Sequence, residues 1–308
     1  MRYSPADVPD QTGRFVIVTG GNGGTGFETA KVLATKGAEV LIAARDAKKG
    51  ERAVQEIRRM TPGAQVRFER LDLSSQADVA RFAEARRAEG RRIDVLINNA
   101  GIMALPKRQA SADGHELQLA TNFLGHFALT ARLLPLLKGG RTVQLSSIKH
   151  RSGRIHLDDL NLERGYGDWK AYDQSKLAML MFALELDRRS RANGWGVTSV
   201  AAHPGYARTG LIGAGPLGSR PVSRFMFSVV YRPFIEPLIS HSAADGALPI
   251  LMAATAPDVS PGGYYGPTTG KELKGPAGPV GMKPHARDEV TAAALWESAE
   301  RLTGVRFG

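Results

Sequence analysis

A chain of 308 residues with 43% hydrophobic and 23% charged residues can bury a large core without covalent staples. It has no cysteine, which excludes disulfides, thiolate metal sites and a thiol nucleophile, and fits a reducing compartment. The formal net charge of +11 comes from dispersed basic residues with no nucleic-acid reading motif, so a solvated basic surface suited to anionic small molecules is expected, and no nucleic-acid partner.

Met1 to Gly13 is polar, without the apolar stretch of a signal peptide. Phe15–Thr19 is an apolar run that predicts a buried parallel strand, followed by a helix through Lys36 with Gly37 placed to end it. Val40–Ala44 predicts a second strand, Asp46–Met60 a helix, Val66–Leu71 a third strand and Ser74–Ala88 a helix. The basic cluster Arg86, Arg87, Arg91 and Arg92 is expected to face water. Ile93–Ile97 predicts a fourth strand, and a long helix is expected over Ser111–Leu137, disturbed at Pro135. Arg141–Ser146 and Val197–Ala202 read as strands on either side of a helix at Trp169–Arg189, whose apolar residues on nearly every side call for cover on both sides. Strands alternating with helices predict an α/β doubly wound parallel sheet.

Beyond His203 the pattern weakens. Ala243–Ala254 reads as a helix with Pro249 as a kink. Pro257–Pro284 is rich in Gly and Pro and reads as loops with one short strand at Tyr264–Tyr265. A terminal helix is expected at Asp288–Leu302. No run of about 18 apolar residues exists to span a membrane. The apolar segment Phe225–Tyr231 is too short to cross but long enough for a lid or for contact with a bilayer surface. The expectation is one cytoplasmic domain over residues 1–308, with a cofactor-binding and catalytic core at 13–210 and a variable substrate cap at 211–287.

The run Thr19–Gly26 closes the first strand and opens the first helix. Glycines there allow a tight turn and let a pyrophosphate approach backbone N–H groups at a helix N-terminus. The run fits three glycine spacings at once and does not choose among them. Gly20, Asn22, Gly24, Thr25 and Gly26 are the candidate cofactor residues. At the end of the second strand Ala44 stands where an NAD site places a carboxylate, and Arg45 follows. A guanidinium pairs with a 2′-phosphate, so NADP(H) is expected over NAD(H). Asp72, with Leu73 beside it, lies where a carboxylate accepts from the adenine amino group. Tyr172 and Lys176 stand four residues apart, on one helix face, where a positive charge is expected to lower the phenol pKa toward use as a proton donor. The seven histidines are scattered without metal spacing, and no metal is expected.

Together these features resemble the short-chain dehydrogenase/reductase family over about residues 13–210, with the glycine loop as its first motif. Asn98–Gly101 is similar to the family's N-N-A-G motif, which implies that Asn99, Ala100 and Gly101 line the adenine ribose. Asn122 matches the helix asparagine that holds a water in the proton relay, and Ser147 aligns with the catalytic serine. Tyr172 and Lys176 complete an Asn-Ser-Tyr-Lys tetrad, both also touching cofactor. Pro204, Gly205 and Thr209 match the loop at the nicotinamide end. The insert between Ser147 and Tyr172, with Asp113–Gly114 and Gln174–Leu177, is similar to the retinol dehydrogenase and protochlorophyllide-reductase-like branch. Three features depart from it: no membrane anchor, no photochemical cysteines, and Thr25 in place of an aliphatic residue.

The resemblance implies hydride transfer between nicotinamide and the carbonyl or carbinol carbon of a ketone, aldehyde or secondary alcohol. Leu211, Phe225, Phe227, Tyr231 and Phe234 predict an apolar pocket, and hence an apolar substrate. The family also implies a homo-oligomer formed through the two long central helices. Two alternatives stand beside this reading: an NADP-retaining isomerase or dehydratase, and a non-catalytic cofactor-sensing protein.

Overall fold

The computed structural model describes residues 3–207 and 240–308. Thr209 and the apolar segment Leu211–Leu238 lie outside the described residues.

Phe15–Thr19 forms β1, buried at each position. The other strands of the sheet are β2 (Glu39–Ala44), β3 (Val66–Arg70), β4 (Val95–Asn98), β5 (Arg141–Leu145), β6 (Thr198–Ala202), β7 (Tyr264–Thr269) and β8 (Lys274–Pro279). The order is β3-β2-β1-β4-β5-β6-β7-β8, parallel as far as β7 and antiparallel at β8. Order and direction together make a doubly wound parallel sheet with an antiparallel edge.

Alternate residues of each strand serve opposite layers. Val16, Val18, Val40 and Ile42 pack with α1 (Gly24–Thr35), α2 (Ala47–Met60) and α7 (Ala243–Thr255). Phe15, Ile17, Leu41 and Leu96 face α3 (Gln76–Glu89) and α5 (Gly125–Leu133). Phe123, Phe127, Phe182 and Trp296 make an aromatic cluster joining α5 to α6 (Asp168–Asn193) and α8 (Glu289–Thr303). Asp46, Ser75 and Asp288 cap the helices that follow them, each side chain accepting from backbone N–H groups of the first turn.

Four expectations are corrected. The helix expected from Ser111 begins at α4 (Leu117–Leu119), because Glu116 is its cap: its carboxylate accepts from the N–H groups of Gln118 and Leu119. A π-helical stretch, Ala120–Leu124, then separates α4 from α5, and Pro135 sits in a final 3₁₀ turn. The loop-rich tail holds a hairpin, β7–β8, not one short strand; prolines are tolerated there because the hairpin lies at the sheet edge. From residue 240 onward the stretch expected as a cap builds the sheet and its helical layer, since Tyr265 and the apolar face of α7 pack into the core. Arg86 does not face water: it is 5% exposed, lies over the Phe82 ring, and its guanidinium is held by Glu69 and Glu89.

Candidate functional site

Loops leaving the carboxyl ends of β1, β4, β5 and β6 converge on one edge of the sheet, where ligands of such folds bind. After β1, Gly20 adopts φ +66°, and a Cβ there would stand 2.9 Å from the Ala100 Cα. Gly26, in the first turn of α1, would place a Cβ 2.4 Å from Asn99 Nδ2 and 2.5 Å from the Gly20 carbonyl. Only glycine permits this contact between the loops after β1 and β4. Asn99 Nδ2 donates to the Thr19 carbonyl at 2.8 Å, and Thr25 Oγ1 donates to Asn99 Oδ1 at 3.2 Å. Thr25 therefore has a physical role in this chain: its hydroxyl joins the two loops, and its methyl faces Gly246 of α7.

The cradle above the start of α1 is open. Gly23 is exposed, and a Cβ on it would meet nothing within 4 Å. Asn22 and Gly24 are half-buried beside it. An N-terminus with open backbone at Gly23 fits a pyrophosphate. Arg45 is exposed just past Ala44 at the end of β2. Asp72 is half-buried, with Oδ1 accepting from Ser74 N (3.0 Å) and Oγ (2.6 Å). Leu73 is buried behind it.

Beyond β5 the two serines diverge. Ser146 Oγ donates to the Lys176 carbonyl at 2.8 Å and is turned into the helix. Ser147 caps the following 3₁₀ turn, accepting from Lys149 N at 3.2 Å, and its hydroxyl lies near enough to the Tyr172 phenol to lower the phenol pKa. Lys176 is 5% exposed and donates to the Leu145 carbonyl at 3.0 Å. Its Nζ lies 5.8 Å from the Tyr172 ring centroid. Asn122 Oδ1 accepts from Ile102 N at 2.8 Å, and Nδ2 donates to Ile102 O at 3.0 Å and to Ser175 Oγ at 2.9 Å. A Cβ at Gly101 would come 3.2 Å from Asn122 Oδ1 and 3.4 Å from Lys176 Nζ, so the β4 loop runs directly over both. Pro204 and Gly205 leave β6 beside buried His203. Gly205 N donates to His203 Nδ1 at 3.2 Å, and His203 Nε2 donates to Glu272 at 3.1 Å.

The electrostatics correct one expectation. Burial pushes the Tyr172 phenol up to about 12, opposed by the Ser147 hydroxyl and assisted by Asp173. Lys176 does not bring it down; burial instead lowers the ammonium itself to about 8. At neutral pH the phenol keeps its proton.

Sequence reasoning missed several neighbours. Trp169 is 40% exposed and meets the Tyr172 ring edge-on, centroids 6.1 Å apart, with Lys149 Nζ 5.2 Å from its own ring. An aromatic residue three before the tyrosine on a helix was a usable signal. Tyr264 Oη donates to the Ser147 carbonyl at 3.3 Å, and His150 Nδ1 donates to the same oxygen at 2.7 Å. No local spacing announces these contacts. Among the described residues, no helix is long and apolar enough to cross a membrane, and no group of three or more His, Asp or Glu is placed to hold a metal.

The family model for short chain dehydrogenases matches residues 14–214. Human retinol dehydrogenase 12 is 39% identical over 300 residues, covering 96% of this chain and 88% of that protein. Mouse polyprenol dehydrogenase is 37% identical over 314 residues, covering 99% and 88%. A solved, uncharacterized protein from Mycobacterium paratuberculosis superposes with a TM-score of 0.81 at 39% identity, covering all of both chains. A protein from Beutenbergia cavernae, described as an NAD(P)-dependent gluconate 5-dehydrogenase and solved with NADP, gives a TM-score of 0.58 at 27% identity, over 80% of this chain and 92% of that one. The chain belongs to the short-chain dehydrogenase family, in a branch similar to the retinol dehydrogenases.

Proposed function

We propose that this oxidoreductase uses NADP(H) to interconvert an apolar ketone or aldehyde with its alcohol. The observation that carries the reading is the meeting of Ser147, which follows β5, with Tyr172 and Lys176 of α6 at the carboxyl edge of the sheet, Lys176 Nζ lying 5.8 Å from the Tyr172 ring centroid. Bound nicotinamide supplies or takes the hydride. Tyr172 gives or takes the proton on the substrate oxygen. Ser147 orients that oxygen and stabilises the negative charge that develops on it. Lys176 holds the ribose end of the cofactor, and Asn122 supports a water chain from the ammonium outward. Gly20, Asn22, Gly24, Thr25 and Gly26 receive the pyrophosphate. Asp72, Leu73, Asn99, Ala100 and Gly101 frame the adenosine half, and Pro204 and Gly205 frame the nicotinamide end.

Arg45 supports NADP(H): an exposed guanidinium follows Ala44 where a carboxylate would favour NAD. Two observations support an apolar substrate. Trp169 leaves an exposed indole against the Tyr172 ring. The relatives are named for retinol and polyprenol. Residues 13–210 then carry cofactor and proton transfer.

The experiment is NADPH oxidation against long-chain aldehydes and apolar ring ketones, with native protein and Tyr172→Phe. Native protein is expected to turn over, and the variant to lose about 10²–10⁴-fold in kcat with little change in NADPH affinity. Turnover that survives the substitution removes Tyr172 as proton donor.

A further inference from the structure

Asn122 sits in the π-helical stretch, where the backbone ladder departs from α-helical register. A side chain holds its carbonyl: His126 Nδ1 lies 2.8 Å from Asn122 O. A carbonyl only accepts, so Nδ1 carries the proton and Nε2 is left as an acceptor. Thr19 Oγ1 has two acceptors in reach, Nε2 at 2.9 Å and the Ile97 carbonyl at 3.2 Å; its one proton goes to the nearer Nε2, which has no other donor, and the Ile97 carbonyl competes for it at longer range. The same hydroxyl oxygen accepts from the backbone N–H groups of Asn99 at 2.9 Å and Ala100 at 3.0 Å. His126 is 0% exposed, so water does not substitute for either partner. Burial, with Lys176 nearby, pushes the imidazole down to about 3, which keeps it neutral and the tautomer fixed.

We propose that His126 is a positioning residue that couples the two halves of the site through its single neutral tautomer. One ring nitrogen fixes the Asn122 turn beside Lys176, and the other fixes Thr19 and, through it, the start of the Asn99–Gly101 loop. His126 touches neither substrate nor cofactor; it acts through Asn122 and Thr19. The inference rests on the roles given above to Asn122 and to that loop.

Two substitutions separate the two nitrogens. In His126→Asn the amide nitrogen takes the place of Nδ1 and keeps a donor for Asn122, while the acceptor for Thr19 is lost. In His126→Gln the terminal oxygen takes the place of Nε2 and keeps the acceptor for Thr19, while the donor for Asn122 is lost. NADPH affinity is read by quenching of tryptophan fluorescence, and kcat by NADPH oxidation. A lost buried hydrogen bond is worth about two- to tenfold. His126→Asn is expected to raise the NADPH Kd by that factor and to affect kcat less. His126→Gln is expected to lower kcat by that factor and to affect Kd less. Equal losses in both parameters for both variants would reduce His126 to a packing residue and overturn the proposal.

A measurement on the native protein needs no variant. Nitrogen-15 NMR of labelled histidine is expected to show His126 as the Nδ1–H tautomer, without titration from about pH 5 to 9. The Nε2–H tautomer, or a titration in that range, overturns the proposal. If native protein turns over no carbonyl compound, the proposed function fails, while the Kd and tautomer measurements still decide the role of His126.

Discussion

Lys176→Met is the sharpest perturbation of this site. The ammonium is 5% exposed, donates to the Leu145 carbonyl, and is lowered by burial from 10.5 to about 8. Each unit corresponds to about 1.4 kcal/mol, so the folded state carries on the order of 3 kcal/mol of strain from holding this charge at neutral pH. The methionine relieves it but leaves the Leu145 carbonyl without a donor, which costs about 1–3 kcal/mol. The net change at neutral pH is therefore small, and the pH dependence carries the information. Because the folded pKa is depressed, the unfolded chain binds more protons between about pH 8 and 10.5, and this group's contribution to stability rises with pH across that window. Urea midpoints measured from pH 7 to 10.5 should show native protein gaining on the order of 3 kcal/mol relative to Lys176→Met. Tyr172, raised to about 12, is present in both proteins and cancels. Parallel curves would refute the claim that this ammonium is held against its desolvation.

Arg45→Ala should weaken NADPH by about 1.5–3 kcal/mol, a factor of about 10–150, and leave NADH unchanged; an equal effect on both in a fluorescence titration removes the phosphate assignment. Ser147→Ala should lower kcat by about 10²-fold through loss of a donor to the reacting oxygen. Ser146→Ala removes the bond to the Lys176 carbonyl, and its effect should appear as about 1 kcal/mol in urea denaturation. Reversed behaviour of the two serines would reassign the site.

Much of this architecture was legible because it is written locally. Alternating apolar strands and amphipathic helices announce a parallel sheet, and Asp46, Ser75 and Gly37 mark helix ends within a residue or two. The Tyr172–Lys176 spacing needed only one helical turn. What escaped depends on distant contacts. Thr19 and His126 are separated by 107 residues, and nothing near either announces the other. Arg86 reads as a surface charge until Glu69 arrives from the neighbouring strand to hold it. The Ser111–Gly114 turn resembles helix in its polar and apolar pattern, although Gly114, at φ +83°, and Glu116, in the capping role, mark the true boundary. The β7–β8 hairpin was hidden by its prolines, which an edge tolerates and an interior strand would not.

The state of Tyr172 also bears on direction. A phenol at about 12 is almost wholly protonated at pH 7, with phenolate at about one part in 10⁵. Donation to a carbonyl oxygen draws on the abundant form, whereas removal of a proton from an alcohol draws on the rare one. The Ser147 hydroxyl opposes the effect of burial without offsetting it. Under the proposed function, kcat for carbonyl reduction should therefore be nearly flat from about pH 6 to 9, while kcat for alcohol oxidation should climb toward tenfold per pH unit. The Lys176 ammonium, lowered to about 8, loses its charge within the upper part of that range, which should bend the oxidation profile near pH 8 without abolishing the rise. Oxidation and reduction profiles of the same shape would mean that Tyr172 titrates much lower in the working complex than its burial dictates, and that the bound cofactor, more than the protein, sets its pKa.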